Sequence, residues 1–463
     1  MKNIKLKVAS VVMVLSVFTS CEFGDTNVNP ALPADVSAQA IVPAAQAGMA
    51  FAIGGEVVRI NGLFMQHFEG INAQQFDNYK YLVKASDMDG VWSRVYFNTL
   101  NPLMTIKRKA DAEDSKYTSA MASILIAHCI GNMADMFGDV PLSDALGALE
   151  ENFFPEYDSQ EDIYTSIQGL LDQAIIDLNG DPGVGPALGN DDQIYGGTAA
   201  NWIMAANALK VKYYLHLSKI DANAYANAEG ALAGAFTGNG DDFQFVFGTG
   251  PNEANPQYQF SQDRGGNIQI EDHFFNLLIN KVDPRRAQLL EADGDEPSGY
   301  NQNFNSGTYY STINSPVIFM SYAEQKFIEA EIELMGNSDI PAAEAALEEA
   351  ISASITKING ADDAAYAAAE SALAGFADDQ ERLEQIMTQK YIALYSHGLE
   401  SWTDYRRTGF PAIIPNSEGN NAFNPNGEVP RRLPYPQTEI DLNNSNVPIK
   451  APNFQDRFWW DKN

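Results

Sequence analysis

The sequence predicts a mostly α protein: antiparallel helical hairpins stacked into a scaffold, a large irregular loop-rich insertion at residues 237–319, and a Pro-rich C-terminal tail wrapping the core. Three observations carry this prediction. Apolar residues recur at helical spacing through paired segments, as in Trp202, Ala205, Ala206, Leu209 and Tyr213 at i, i+3, i+4, i+7 and i+11. That period gives way to Gly, Asn and aromatic residues across the insertion. Finally, 8 of the 22 prolines follow Phe410, a density that excludes long helix there. Hydrophobic residues make up 45% of the 463, with 20 Tyr and 25 Phe, enough to bury a sizeable core.

The N-terminus reads as an export signal. Lys2, Lys5 and Lys7 supply the positive region and Val8 to Phe18 the apolar one, with Thr19 and Ser20 just before Cys21. Residues 1–20 are thus a lipoprotein signal peptide, Cys21 the lipid-bearing residue after cleavage, and 21–35, with Asn27, Asn29, Pro30 and Pro33, a lipid-anchored tether. The remainder, 36–463, is expected to form a single domain. No stretch past residue 20 reads as apolar for long enough to span a bilayer. Cleavage removes three lysines and no acid, so the net charge falls from −32 to −35. That balance argues against nucleic acid and against electrostatic docking on anionic lipid. Only Cys129 then remains, a small core residue on an apolar helix, so stability rests on packing and not on a disulfide.

In chain order, Val36–Phe51 and Val57–Phe68 read as two helices separated by Gly54-Gly55, with His67 packed. Trp92, Val95 and Tyr96 begin a helix running to Lys107–Lys109. The next buries Tyr117, Met121, Ile124, Leu125 and His128 and stops at Gly138 and Pro141, with Asp139 capping the turn. Asp158-Ser159-Gln160-Glu161 reads as a capping box opening a helix with Ile163, Ile167, Leu171, Ala174 and Leu178 on one face. Further pairs follow at Trp202–Phe236 and Ala323–Ile355. With Tyr117–Leu178 and Asp362–His397 they make four, tetratricopeptide-like in their small residues at close-packing points but irregular in spacing. Within the insertion Phe243, Phe245 and Phe247 alternate like a short strand.

The stretch Glu381–Pro411 closes the scaffold. Leu383, Ile386, Met387 and Ile392 make it helical and buried up to Gly398. A second helix carries Trp402 and Tyr405 and ends at Arg406-Arg407-Thr408-Gly409-Phe410-Pro411. Arg406 and Arg407 are expected in structural ion pairs with Glu400, Asp404 or Glu384. The run YRRTGFP resembles the C-terminal signature of the SusD/RagB family. So do Asp135–Leu146, Asn255–Asn267, Arg431–Asn446 and Phe458-Trp459-Trp460-Asp461, in the same order, particularly in its SusD-like 2 branch. Glu22 and Asp25 resemble the acidic export signal of Bacteroidetes lipoproteins that face the cell exterior. The resemblance implies a lipid-anchored outer-membrane protein that captures a glycan or oligopeptide and delivers it to a SusC-like TonB-dependent transporter.

The family carries no universal ligand motif, so candidate site residues come from chemistry alone. Sugars are held by aromatic faces together with amide and guanidinium hydrogen bonds, on loops set on a rigid scaffold. One such loop offers Asn72, Gln74, Phe76, Asn78, Tyr79 and Tyr81; a second group offers Tyr258, Arg264, Tyr300, Tyr309 and Tyr310. No HExxH, GxSxG or phosphate-cradling glycine loop is present, and the five histidines lack ligand spacing, so no catalytic residue, metal or cofactor is assigned. Asp293, Asp295 and Glu296 read as an acidic turn and not a calcium loop. A surface-anchored glycoside hydrolase, or a structural surface protein or adhesin, is the alternative reading.

Overall fold

The computed structural model describes residues 36–147, 152–250, 252–304, 307–451 and 453–462. The expected signal (1–20), Cys21 and the expected tether (21–35) lie outside those residues. Helices α1 (Ala38–Ala52) and α2 (Val58–Phe64) are not separated by Gly54-Gly55 as expected; a π turn at Ile53–Val57 joins them. Gly55 takes the off-helix step at φ −94° and ψ −111°. At Gly54 a Cβ would stand 2.2 Å from Val317 Cγ2. The glycines therefore kink the helix against a neighbouring strand. The second helix also ends at Phe64, because Phe68 opens strand β1 (Phe68–Gly70).

Next come α3 (Ala73–Tyr79), α4 (Asp89–Val95), α5 (Asn101–Ala112) and the long α6 (Lys116–Phe137). Contrary to expectation, two stretches, Ala38–Phe64 and Lys116–Phe137, are long and apolar enough to cross a bilayer. The apolar window of α6 is entirely buried within the protein, because α5 and the two helices that follow pack around it. Its apolarity is that of a central core helix.

Helix α7 (Gln160–Asn179) opens one residue later than the predicted box. Ser159 is the cap, its hydroxyl accepting the Asp162 amide at 3.1 Å, while Asp158 instead accepts the Leu142 and Ser143 amides at 2.7 and 2.9 Å. Asp139 accepts the Gln160 amide at 2.8 Å, so it caps the start of α7 and not its own turn as expected. Helices α8 (Ala199–His216) and α9 (Ala224–Leu232) then form a hairpin, as α6 and α7 do.

The insertion supplies β2 (Phe243–Val246), α10 (Pro256–Arg264), β3 (Ile268–Ile270), α11 (Asp272–Asn280), α12 (Arg286–Leu289), β4 (Glu291–Ala292), β5 (Tyr300–Asn301) and β6 (Pro316–Met320). Strands β2 and β6 pair antiparallel, Phe245 opposite Val317, and tie the two ends of the insertion together. The last hairpin joins α13 (Tyr322–Glu331) to α14 (Ile340–Asn359).

The fourth predicted pair is not a hairpin. The seven-residue α15 (Ala364–Glu370) lies on α14, and α16 (Asp379–Ala393) packs on α13 and α14. Leu383, Ile386 and Met387 bury against Phe327, Ala330, Leu334 and Leu347 in a second core cluster. A helix of two turns offers too little apolar face to cover a four-turn partner, so α16 finds a longer one.

Helix α17 (Glu400–Thr408) ends where Gly409 turns left-handed at φ +84°. The tail, including α18 (Gln437–Leu442), wraps the scaffold as expected. The Leu433 amide donates to the Met136 carbonyl at 2.9 Å, and Trp460, fully buried, donates through Nε1 to Asp135 at 3.1 Å.

Charge is also buried here. Lys212 lies between Glu324 at 2.7 Å and Glu400 at 3.5 Å, and His216 between Glu400 at 2.9 Å and Asp135 at 3.3 Å. Burial alone would lower the His216 imidazolium, but the Glu400 and Asp135 carboxylates hold it up to about 9. Arg407 bonds Asp404 and both carboxylate oxygens of Glu331 from α13, a partner the sequence did not suggest. Among the described residues Arg406 takes no carboxylate. Its Nη1 donates to the Asp135 and Arg431 carbonyls at 2.6 and 3.1 Å, and its guanidinium lies 3.8 Å from the Trp402 ring centre.

Candidate functional site

Strands β1 and β3 assemble the site. They pair antiparallel, Phe68 opposite Ile270 and Gly70 opposite Ile268, and the Ile71 and Asn72 amides both donate to the Asn267 carbonyl, at 2.9 and 3.3 Å. The 72–81 loop is thereby laid beside the 255–267 segment, far away in sequence. Gly70 makes the following turn: a Cβ there would meet the Gln75 carbonyl oxygen at 1.9 Å. Asn72 then caps α3, accepting the Ala73 amide at 2.8 Å.

Helix α3 stands between two clefts. The first, of about 350 Å³, lies against the α1–α2 kink, α4 and α10, and is lined by Glu56, Arg59, Gln74, Gln75, Arg94, Gln259, Phe260, Asp263 and Arg264. The second, of about 630 Å³, is lined by Phe76 and Tyr79 from α3, Lys80 just after it, Glu271, Asp272 and His273 from the start of α11, Glu69, and Asn416 and Glu418 from the tail. Lys80 caps the Phe76 ring at 3.7 Å and pairs with Glu418 at 2.6 Å. The Tyr79 hydroxyl donates to Glu271 at 3.0 Å. Burial raises Glu271 above the usual carboxylate range, against the opposing bonds from the His273 amide and Tyr79.

Of the sequence-predicted residues, Gln74 and Arg264 meet in the first cleft, while Phe76 and Tyr79 face the second. Asn72 is exposed at its cap. Asn78, Tyr81 and Tyr310 are inside the protein. The Tyr81 ring packs edge-on to Phe64, and its hydroxyl accepts the Asn416 amide at 3.1 Å; the Tyr310 hydroxyl bonds His397 Nε2 at 2.8 Å. Tyr258 is half-buried on α10, Tyr300 lies on the β4–β5 hairpin, and Tyr309 packs against Tyr310, so none of these lines either cleft. Sequence reasoning missed Arg59, Arg94, Phe260, Glu271 and Glu418. Arg59 did carry a signal, as the single charge in the apolar run Val57–Phe64.

A family model described as starch-binding associating with outer membrane, SusD-like 2, matches residues 30–436. The chain belongs to the SusD-like 2 family. No curated protein matches it. Among solved structures, the fold is shared with a SusD/RagB family protein from Bacteroides thetaiotaomicron at 22% identity and a TM-score of 0.77, covering 92% of this chain and 99% of that one. It is shared too with a chitin-binding SusD homolog from Flavobacterium johnsoniae, at 24% identity and a TM-score of 0.76, covering 91% and 99%. A SusD homolog from Bacteroides uniformis gives 23% identity and a TM-score of 0.76, covering 91% and 99%. In this SusD-like chain the Asp293–Glu296 turn is a hairpin corner, where Asp293 accepts the Asp295 amide at 3.1 Å and the Asn301 side-chain amide at 3.3 Å.

Proposed function

We propose that this protein is a non-catalytic, cell-surface glycan-binding lipoprotein that captures its ligand at the clefts flanking α3 and passes it to a SusC-like TonB-dependent transporter. The convergence on α3 carries the reading. One short helix presents a 41% exposed Phe76, the Tyr79 ring and the Gln74 amide, beside Arg264 and Asn416 from distant segments. Aromatic faces ringed by amides and guanidinium groups suit the mixed apolar and hydroxylated surface of a sugar. The family description, and two structural neighbours named as chitin-binding proteins, support a glycan over other ligands.

The test is calorimetry of residues 22–463 against starch and chitin oligosaccharides, with product analysis of the same samples. Binding without turnover is expected, and Phe76→Ala should weaken it about tenfold. Turnover would place the protein among the enzymes. The domain reading (signal 1–20, tether 21–35, body 36–463) is proposed with it. Cys21→Ala should move the protein to the soluble fraction, and the wild-type protein should co-purify with its transporter from detergent-solubilised outer membranes.

A further inference from the structure

The arginine-bearing cleft has a charge character that neutral-glycan binding does not require. The chain holds 61 acids against 29 Lys and Arg, yet Arg59, Arg94 and Arg264 converge on one cleft of about 350 Å³. Three interior or part-buried guanidinium groups are by contrast engaged: Arg285 on Asp283 and Gln389, Arg407 on Glu331, Arg431 on Asp461. Among the described residues, none of the three cleft arginines donates a side-chain hydrogen bond. Arg59 Nε is buried without a partner, its guanidinium held 4.3 Å from the Phe260 ring centre. The carboxylate paired with Arg94, Glu56, stands at 3.6 Å, beyond good hydrogen-bond length. Burial, and then its neighbours Arg94 and Arg264 against Glu56, lower the Arg59 guanidinium to about 10. Burial raises Glu56 above the usual carboxylate range, against the Arg59 and Arg94 guanidinium groups, and the three arginines outnumber the cleft's two carboxylates, Glu56 and Asp263.

A half-buried guanidinium with unused N–H groups is matched by an oxyanion, which accepts two parallel charge-assisted bonds. We infer that this cleft takes the anionic group of an acidic glycan, the carboxylate of a uronic acid or a sulfate ester, so that the protein selects charged over neutral chains. This rests on the glycan-binding reading above.

The experiment is calorimetry of residues 22–463 with an oligogalacturonate and its carboxyl-reduced counterpart, and with a sulfated oligosaccharide and its desulfated form. Each titration is run at low salt and at about 0.5 M salt, where charge pairing at an exposed site is screened. One acidic form should bind about 10 to 100 times more tightly than its neutral counterpart, with the advantage shrinking in salt; which one does so assigns carboxylate or sulfate. Arg264→Gln and Arg94→Gln, both at exposed positions, should each remove about tenfold of the acidic-over-neutral preference, and an unchanged preference in both would overturn the inference. Equal affinity for acidic and neutral chains would overturn the inference and leave the glycan reading standing. Failure of every glycan, charged and neutral, to bind would end both.

Discussion

Two groups of arginines in this protein are treated in opposite ways. Arg407 is inside, bonded to both oxygens of Glu331 and to Asp404, while Arg59, Arg94 and Arg264 line a surface cleft with no side-chain hydrogen bond among the described residues. A buried ion must be paired, because an uncompensated charge in the interior is strongly destabilising; Arg407 has its carboxylates, although its Nε is buried without a partner. At the exposed Arg94 and Arg264, water completes the bonding until a ligand displaces it. The difference teaches that in so acidic a chain the location of a cation says little about its role; its hydrogen-bond partners say more.

The comparison is broken most directly at Glu331. Glu331→Gln leaves Arg407 without its main counter-charge and should lower unfolding free energy by about 3 to 5 kcal/mol in urea titrations. A loss under about 1 kcal/mol would mean the interior is wet enough to screen the pair. A purely steric lesion comes next. At Gly131 a Cβ would stand 2.2 Å from the Tyr213 hydroxyl oxygen, so Gly131→Ala should cost about 1 to 3 kcal/mol without touching charge.

The buried network also predicts a pH dependence. His216 is held at about 9 in the folded protein, above the ordinary 6.5. Its contribution is therefore fully present below pH 6.5 and is lost as pH rises through 9. Urea midpoints should fall across that window, and His216→Gln should flatten the fall. A wild-type midpoint constant from pH 6.5 to 9 would show that the pair with Glu400 and Asp135 is not linked to folding. On the surface, Phe76→Ala should change stability by under about 0.5 kcal/mol, since the ring is 41% exposed, while weakening glycan binding. An equally small effect on both stability and binding would remove Phe76 from the site.

Helices were legible wherever the apolar period ran for three turns or more, as in α6, α7, α8 and α14. Boundaries slipped where short-range chemistry had competing solutions, as when Ser159 and not Asp158 became the cap of α7. The site was half legible. The loop residues Gln74, Phe76 and Tyr79 could be proposed from type alone, but Tyr81 and Tyr310 have the same composition signal and lie in the core. A tyrosine in a polar stretch is equally suited to both settings, and only packing separates them.

By itself the sequence determined the helical scaffold, three of its four predicted hairpins and the wrapping tail, because helical period, glycine stops and proline density act within a few residues of one another. Which loops meet was decided by the tertiary structure: β1 pairs with β3 through backbone hydrogen bonds that carry no side-chain signature. So was the fate of each arginine. Arg407 finds Glu331 on another helix, and Arg59, Arg94 and Arg264 come from three separate helices onto one cleft. Such meetings depend on where the folded chain brings its segments in space, and local periodicity does not encode them.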